Sequence, residues 1–273
     1  MRILVTFKIV ADLDLLRNKS WTITDNRPEE PDYVKKIINP YDESALELAL
    51  KLADNFAGKG LISEMHALTL DKKQADIVLK RLLACGFNKV HRIECPLDLQ
   101  FNSPAIATVI AAYLKQYIMP DLIIMGMQSS DGDNSKTPFL TAEELGWPCI
   151  SGVTGFSHCD SNLFKIQSAS EQQVIEQTLS LPCILAVGNA PSQYLRVPTL
   201  KAIKAASDKK IEVSTLDRIN LTPEQLIAKN DTELIKLIAS DNKRAGLIIE
   251  GASAEEKAAF LYNRYLKRWL SDL

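Results

Sequence analysis

The run Gly126-Met127-Gln128-Ser129-Ser130-Asp131-Gly132-Asp133-Asn134-Ser135-Lys136-Thr137-Pro138 gathers hydroxyls, amides, two carboxylates and an ammonium between an apolar stretch and a helix-like one. These types in this order suit anion binding. Thr137 as N-cap and Pro138 as first helical residue would open a helix whose free backbone N–H groups and positive dipole end face the loop. Lys136 would add charge, and Ser129, Ser135 and Thr137 would add hydroxyl donors to a phosphate held there. An ordinary polar connection would carry the same helix-start signature, as Asn39-Pro40, Ser103-Pro104 and Thr222-Pro223 do elsewhere in the chain. What separates this loop is its length and its place after a strand, because open parallel sheets bind ligands outside the carboxyl ends of their strands. The segment Asn39-Pro40-Tyr41-Asp42 follows a long loop from the first apolar run and could reach the same edge, with Asp42 equally readable as a helix cap.

Other chemistries are poorly supported. The chain lacks Gly-x-Gly-x-x-Gly and Gly-x-x-x-x-Gly-Lys-[Ser/Thr], which disfavours a dinucleotide-binding dehydrogenase and a P-loop NTPase. His66, His91 and His158 stand far apart with no convincing set of cysteines or carboxylates at metal-ligand spacing, and no Gly-x-Ser-x-Gly elbow is present. Asp131 and Asp133 could touch Mg²⁺, but two carboxylates leave most of its shell unfilled, and a turn about Gly132 explains them as well. Neither a metal nor a catalytic residue is expected.

The elements that must position the loop read as α/β. Short apolar runs at residues 3–7, 65–70, 90–94, 122–126 and 184–187 alternate with helical stripes such as Ala45, Leu46, Ala49, Leu50 and Ala53, the pattern of parallel strands joined by crossover helices. Residues 153–156, 163–167 and 174–179 look like strands with no helix between them, so a meander or hairpin is expected there. After Pro198 the chain turns basic and then polar, and it closes on an amphipathic helix over about residues 254–270. This organisation suggests a nucleotide-binding domain over 1–206 and an arm for subunit association over 207–273.

Composition bounds the class. With 46% hydrophobic and 24% charged residues, the chain matches a soluble globular protein, and its net charge of −2 gives no general pull toward nucleic acid or anionic membrane. Its five cysteines include no Cys-x-x-Cys pair and read as reduced and structural. No stretch is long and apolar enough to insert in a membrane, and no signal segment precedes the first strand, so a cytoplasmic location is expected.

Several segments together resemble the β subunits of electron transfer flavoproteins, including the FixA-like members and divergent bacterial paralogues. They are Ile3-Leu4-Val5-Thr6-Phe7-Lys8, Asn39-Pro40-Tyr41-Asp42-Glu43, the loop from Gly126 to Asp133 running on to Leu145-Gly146-Trp147-Pro148, Leu181-Pro182-Cys183-Ile184-Leu185-Ala186-Val187, and Glu250-Gly251. The resemblance spans nearly the whole chain. It implies a three-layer parallel-sheet sandwich of the adenine nucleotide alpha hydrolase-like kind with a C-terminal arm. It implies a heterodimer with an α subunit, FAD at their interface, and AMP or alternatively a second FAD on this chain. It further implies electron relay from a dehydrogenase to a quinone-linked or other acceptor, without enzymatic activity of its own. Carried over by position, the nucleotide contacts are Thr6, Asn39, Pro40, Tyr41, Asp42, Ser129, Ser130, Asp131, Gly132, Asp133, Asn134, Ser135, Lys136 and Thr137. The family's Arg-x-x-[Asp/Glu]-Gly-Gly stretch appears here as Ser168-Ala169-Ser170-Glu171-Gln172-Gln173, without the Arg that would face a flavin. An adenine-nucleotide-binding protein or ATP-pyrophosphatase-like enzyme of the same fold is the competing reading. The latter wants a Ser-Gly-Gly-type loop where this chain has Thr6-Phe7-Lys8-Ile9-Val10.

Overall fold

A computed structural model describes residues 1–12, 15, 22–24, 27–29, 34–160, 162–170, 172–191, 194–229, 235–238 and 246–270. In chain order the elements begin with β1 (Arg2–Thr6), β2 (Ile9–Ala11), β3 (Thr22–Thr24), β4 (Arg27–Glu29), β5 (Lys36–Ile38) and α1 (Pro40–Gly58). They continue through β6 (Glu64–Leu70), α2 (Asp76–Cys85), β7 (Lys89–Glu94), α3 (Ser103–Tyr117), β8 (Leu122–Gly126) and α4 (Thr137–Leu145). Next come β9 (Cys149–Asp160), β10 (Leu163–Ala169), β11 (Val174–Ser180), β12 (Cys183–Val187), α5 (Leu200–Ala206), β13 (Glu212–Thr215) and α6 (Pro223–Ala228). The final helical stretch comprises α7 (Ala254–Leu261), a π turn (Tyr262–Leu266) and α8 (Lys267–Leu270).

One sheet runs in the order β11-β10-β9-β12-β8-β1-β6-β7-β13. From β9 to β13 every neighbouring pair is parallel, while β10 pairs antiparallel with both β9 and β11. The central parallel strands β1, β6, β8 and β12 are buried on both faces because helices cover both, whereas β10 alternates and β11 is largely exposed. Ile3 and Val5 pack with Ala45, Leu46 and Ala49 of α1 and Leu79 and Leu82 of α2. Leu4, pointing the other way, packs with Val109, Ile110 and Leu114 of α3 and Ala142 of α4. The expected three-layer α/β sandwich and its meander are therefore present.

The chain builds β1, β6 and β7 outward in one direction, then returns to lay β8 on the other side of β1. This reversal creates a crevice between the carboxyl ends of β1 and β8, the general ligand position of open α/β sheets. Beside it, β2 and β5 form a short antiparallel ribbon that carries the chain from β1 to the start of α1.

The division into compact units differs from the sequence expectation. The first unit spans Met1–Lys236 and the second Leu237–Leu273. Residues just past 206 belong to the sheet unit: β13 pairs with the edge strand β7, from Glu212 opposite His91 to Thr215 opposite Glu94, and Leu226 of α6 is buried against the α3 side. The polar run before β13 masks an edge strand of only four residues, too short to announce itself by alternation. In the second unit Ser253 caps α7 through the Glu256 N–H, and Leu261, Tyr262, Tyr265, Leu266 and Trp269 are all exposed.

Candidate functional site

Asp42 joins the two strand ends that border the crevice. Its Oδ2 accepts the Lys8 N–H at 2.9 Å just after β1, and its Oδ1 accepts the Gly126 N–H at 2.9 Å at the end of β8. It is thus a staple rather than a helix cap. Burial pushes its carboxyl up to about 7, against the downward pull of the Lys8 N–H, the Asn39 side chain and the Gly126 N–H. Gly126 is required at this contact: a Cβ there would collide with Asp42 Oδ1 and lie 2.8 Å from the Asp42 nitrogen.

Asn39 holds the loop itself. It occupies the N-cap position of α1 but makes no side-chain cap bond there. Instead its Nδ2 donates to the Gln128 carbonyl at 2.8 Å and its Oδ1 accepts the Ser130 N–H at 3.2 Å. The loop is further closed by Ser135 Oγ on Gln128 Oε1 at 3.2 Å and by Lys8 Nζ on Asp131 Oδ2 at 2.6 Å. Asp133 and Ser135 adopt positive φ, as does Phe101 in the loop before α3. Non-glycine residues are held in that region only where surrounding contacts over-determine them, which is common at ligand sites.

These segments enclose a cleft of about 800 Å³. Of the residues expected from sequence, Thr6, Asn39, Asp42, Ser129, Asp131, Gly132, Asn134, Ser135, Lys136 and Thr137 line it. Pro40, Tyr41, Ser130 and Asp133 do not line it, although Ser130 is bound to Asn39 within the same loop. The expected N-cap is displaced by one residue. Lys136, not Thr137, precedes the helix, its carbonyl accepting the Leu140 N–H at 3.0 Å while its own N–H is held by Asn134 Oδ1 at 3.1 Å. Thr137 is already helical, and Pro138 remains tolerable in the first turn because no N–H is needed there.

The far wall comes from residues no motif announced: Leu68, Thr69 and Leu70 of β6, Asp71 and Lys72 beyond it, and the 95–101 segment after β7. Their only sequence signal was position, at the end of one expected strand and directly after it and another. Among the described residues, two buried polar atoms in the lining lack partners, Thr69 Oγ1 and Asp131 Oδ1. Among the described residues, no group of three or more His, Cys, Asp or Glu is placed to hold a metal.

Comparison with known proteins agrees with this fold. The electron transfer flavoprotein domain matches residues 31–218. The chain belongs to the electron transfer flavoprotein family. It is 29% identical to YgcR of Escherichia coli K12 over 98% of both chains. It is 27% identical to CarD of Acetobacterium woodii, a subunit of a caffeyl-CoA reductase-Etf complex, over 97% of both. It is 28% identical to the electron transfer flavoprotein subunit beta of Bacillus subtilis over 83% of this chain and 85% of that one. As an electron transfer flavoprotein subunit it takes part in electron transfer. Among the described residues no helix is long and apolar enough to cross a membrane.

Proposed function

We propose that this chain is the β-type subunit of a heterodimeric carrier, which relays electrons from a dehydrogenase to a quinone-linked or other acceptor and forms no bonds itself. An α-type partner would share FAD at the interface, and the cleft at the β1/β8 crossover would hold AMP, or a second FAD, as a cytoplasmic complex. The observation that carries this reading is the cleft itself, at the ligand position of an open α/β sheet, with a loop that Asn39 and Asp42 tie to the strand ends.

The residues fit such a nucleotide. Lys136 and the first N–H groups of α4 offer positive potential for a phosphate, and Thr137 offers a hydroxyl. A flavin shared with the partner would supply the redox chemistry. This chain's residues would bind and orient the nucleotide and exclude water from it. Inclusion of the relative CarD in a reductase complex supports a dehydrogenase-type partner. The loop after β1 reads Phe7-Lys8-Ile9, with Lys8 engaged by Asp131, which does not favour pyrophosphatase chemistry.

The test is co-expression with an α-type electron transfer flavoprotein subunit from the same source, followed by spectroscopy of the purified complex. The expected result is a 1:1 complex with a flavin absorption band that bleaches when a donor dehydrogenase and its substrate are added. A chain that forms no flavin-containing complex would overturn the proposal.

A further inference from the structure

The sheet ends on one side in β11, which pairs with β10 and, among the described residues, with no other strand. A free edge is a template for another strand, and native proteins blunt it with proline, bulges, charges or a covering element. β11 is not blunted in these ways. Its sequence, Val174-Ile175-Glu176-Gln177-Thr178-Leu179-Ser180, holds no proline, and its pairing with β10 runs from Ser180 to Val174 without a register shift. All of its residues except Leu179 are exposed, Val174 by 67% and Ile175 by 42%. Its one charge, Glu176, is held by Lys165 Nζ and Gln167 Nε2 of β10, each at 2.8 Å.

The hairpin fixes which groups point outward. The Ser170 N–H donates to the Gln173 carbonyl at 2.9 Å, in register with the Ala169/Val174 pair beside it. Hydrogen-bonded and non-hydrogen-bonded pairs alternate in an antiparallel ladder, so Ile175, Gln177 and Leu179 bond to β10. Val174, Glu176, Thr178 and Ser180 therefore turn their N–H and C=O groups to the free side. On the side-chain faces, Ile175 and Gln177 lie opposite Ser168 and Ile166, on the face that β10 buries.

We propose that β11 pairs antiparallel with β11 of a second copy of this chain, joining the two sheets edge to edge about a twofold axis at Gln177. The strand is complementary to itself in that register. Val174 meets Ser180 of the second copy and Glu176 meets its Thr178, so all four outward-facing residues exchange both of their N–H···O bonds. Ile175 covers Leu179 of the second copy, which extends the apolar face, and Gln177 meets its own copy. A shift of two residues one way would set Glu176 against Glu176, a like-charge pair. The other way it would set Val174 against Pro182, which has no N–H to give. The pairing is isologous and closed, so it stops at two copies, and it leaves the ratio to an α-type subunit at 1:1.

Sedimentation velocity on the full chain over a range of concentrations, together with disulfide trapping, tests the inference. The wild type is expected to show a monomer–dimer equilibrium. Gln177→Lys, which sets two ammonium groups across the axis on an exposed position, should lose the dimer with an unchanged circular dichroism spectrum. Gln177→Cys should form a disulfide-linked dimer under mild oxidation, because Cα atoms of a non-hydrogen-bonded pair lie about 4.5 Å apart, within the reach of a disulfide. Ile175→Cys, which faces Leu179 of the second copy, should give no more cross-linked dimer than the wild type with its five native cysteines. A wild type that stays monomeric at every concentration would overturn the inference, even if an α-type subunit takes up the edge. So would a dimer that survives Gln177→Lys, or cross-linking no better at 177 than at 175.

Discussion

Replacing Asp42 by Asn should make the protein more stable at alkaline pH, although it removes an acceptor from two backbone N–H groups. The carboxyl is 7% exposed, and burial raises it from 3.8 to about 7. Because the folded value lies above the unfolded one, the native state holds the extra proton, and the group's contribution to stability falls as pH rises from about 4 to 7. The displacement corresponds to about 4 kcal/mol in full, of which roughly 2 to 3 kcal/mol falls between pH 5 and pH 8. Asn is neutral throughout and resembles the protonated acid, since either side chain can accept only one of the Lys8 and Gly126 N–H groups well. The two proteins should therefore have similar stability near pH 4, with the variant gaining about 2 to 3 kcal/mol on the wild type between pH 5 and pH 8. Urea unfolding of nucleotide-free protein at several pH values reads this directly, and comparing the pair cancels every other titrating group. Parallel stability profiles across that range would show that the two N–H bonds, rather than burial, govern Asp42.

His91 should act in the opposite sense. It stacks on His66 at 6.0 Å and meets the Tyr113 ring edge, with Glu212 beside its Nδ1 and Glu64 and Lys89 nearby, and burial lowers it to about 4. Its folded value lies below the unfolded 6.5, so stability should fall as pH drops from 6.5 towards 4, by about 3 kcal/mol in full, and His91→Phe should flatten that acid limb in a urea series. Gly126→Ala should destabilise by about 3 kcal/mol or more, because its Cβ meets backbone and a buried carboxylate, and thermal melting would report a large fall in Tm. Deleting residues 254–273 should abolish association with the α-type partner in size-exclusion chromatography while the remaining chain still melts cooperatively. Loss of the melting transition would instead assign that helix to this chain's own core.

The sheet was legible because its central strands are short apolar runs between helices with clear apolar stripes, and both faces are covered. Strand β13 was not, since four residues after a basic stretch carry no period. Asn39 and Asp42 were visible as helix-entry residues, but local capping rules place their bonds within the helix. Their real partners, Ser130 and Gly126, lie about ninety residues away and are set by the crossover between β1 and β8. Lys136 took the N-cap place because Asn134 holds its N–H, a contact that no residue preference reveals. Thr69 sits in an apolar run and looks like a strand threonine; only the absence of a partner for its buried hydroxyl singles it out.

The most direct test of the account is the nucleotide content of the chain purified alone, released by denaturation and identified by chromatography and mass spectrometry. The account predicts about one equivalent of adenine nucleotide per chain, with AMP and a colourless protein as the expected form and FAD as the alternative. It further predicts that the amount drops when Lys136 is replaced by Ala, since a charge-assisted contact contributes about 1.5 to 3 kcal/mol. A chain that carries no nucleotide and binds none when AMP or FAD is supplied would contradict it.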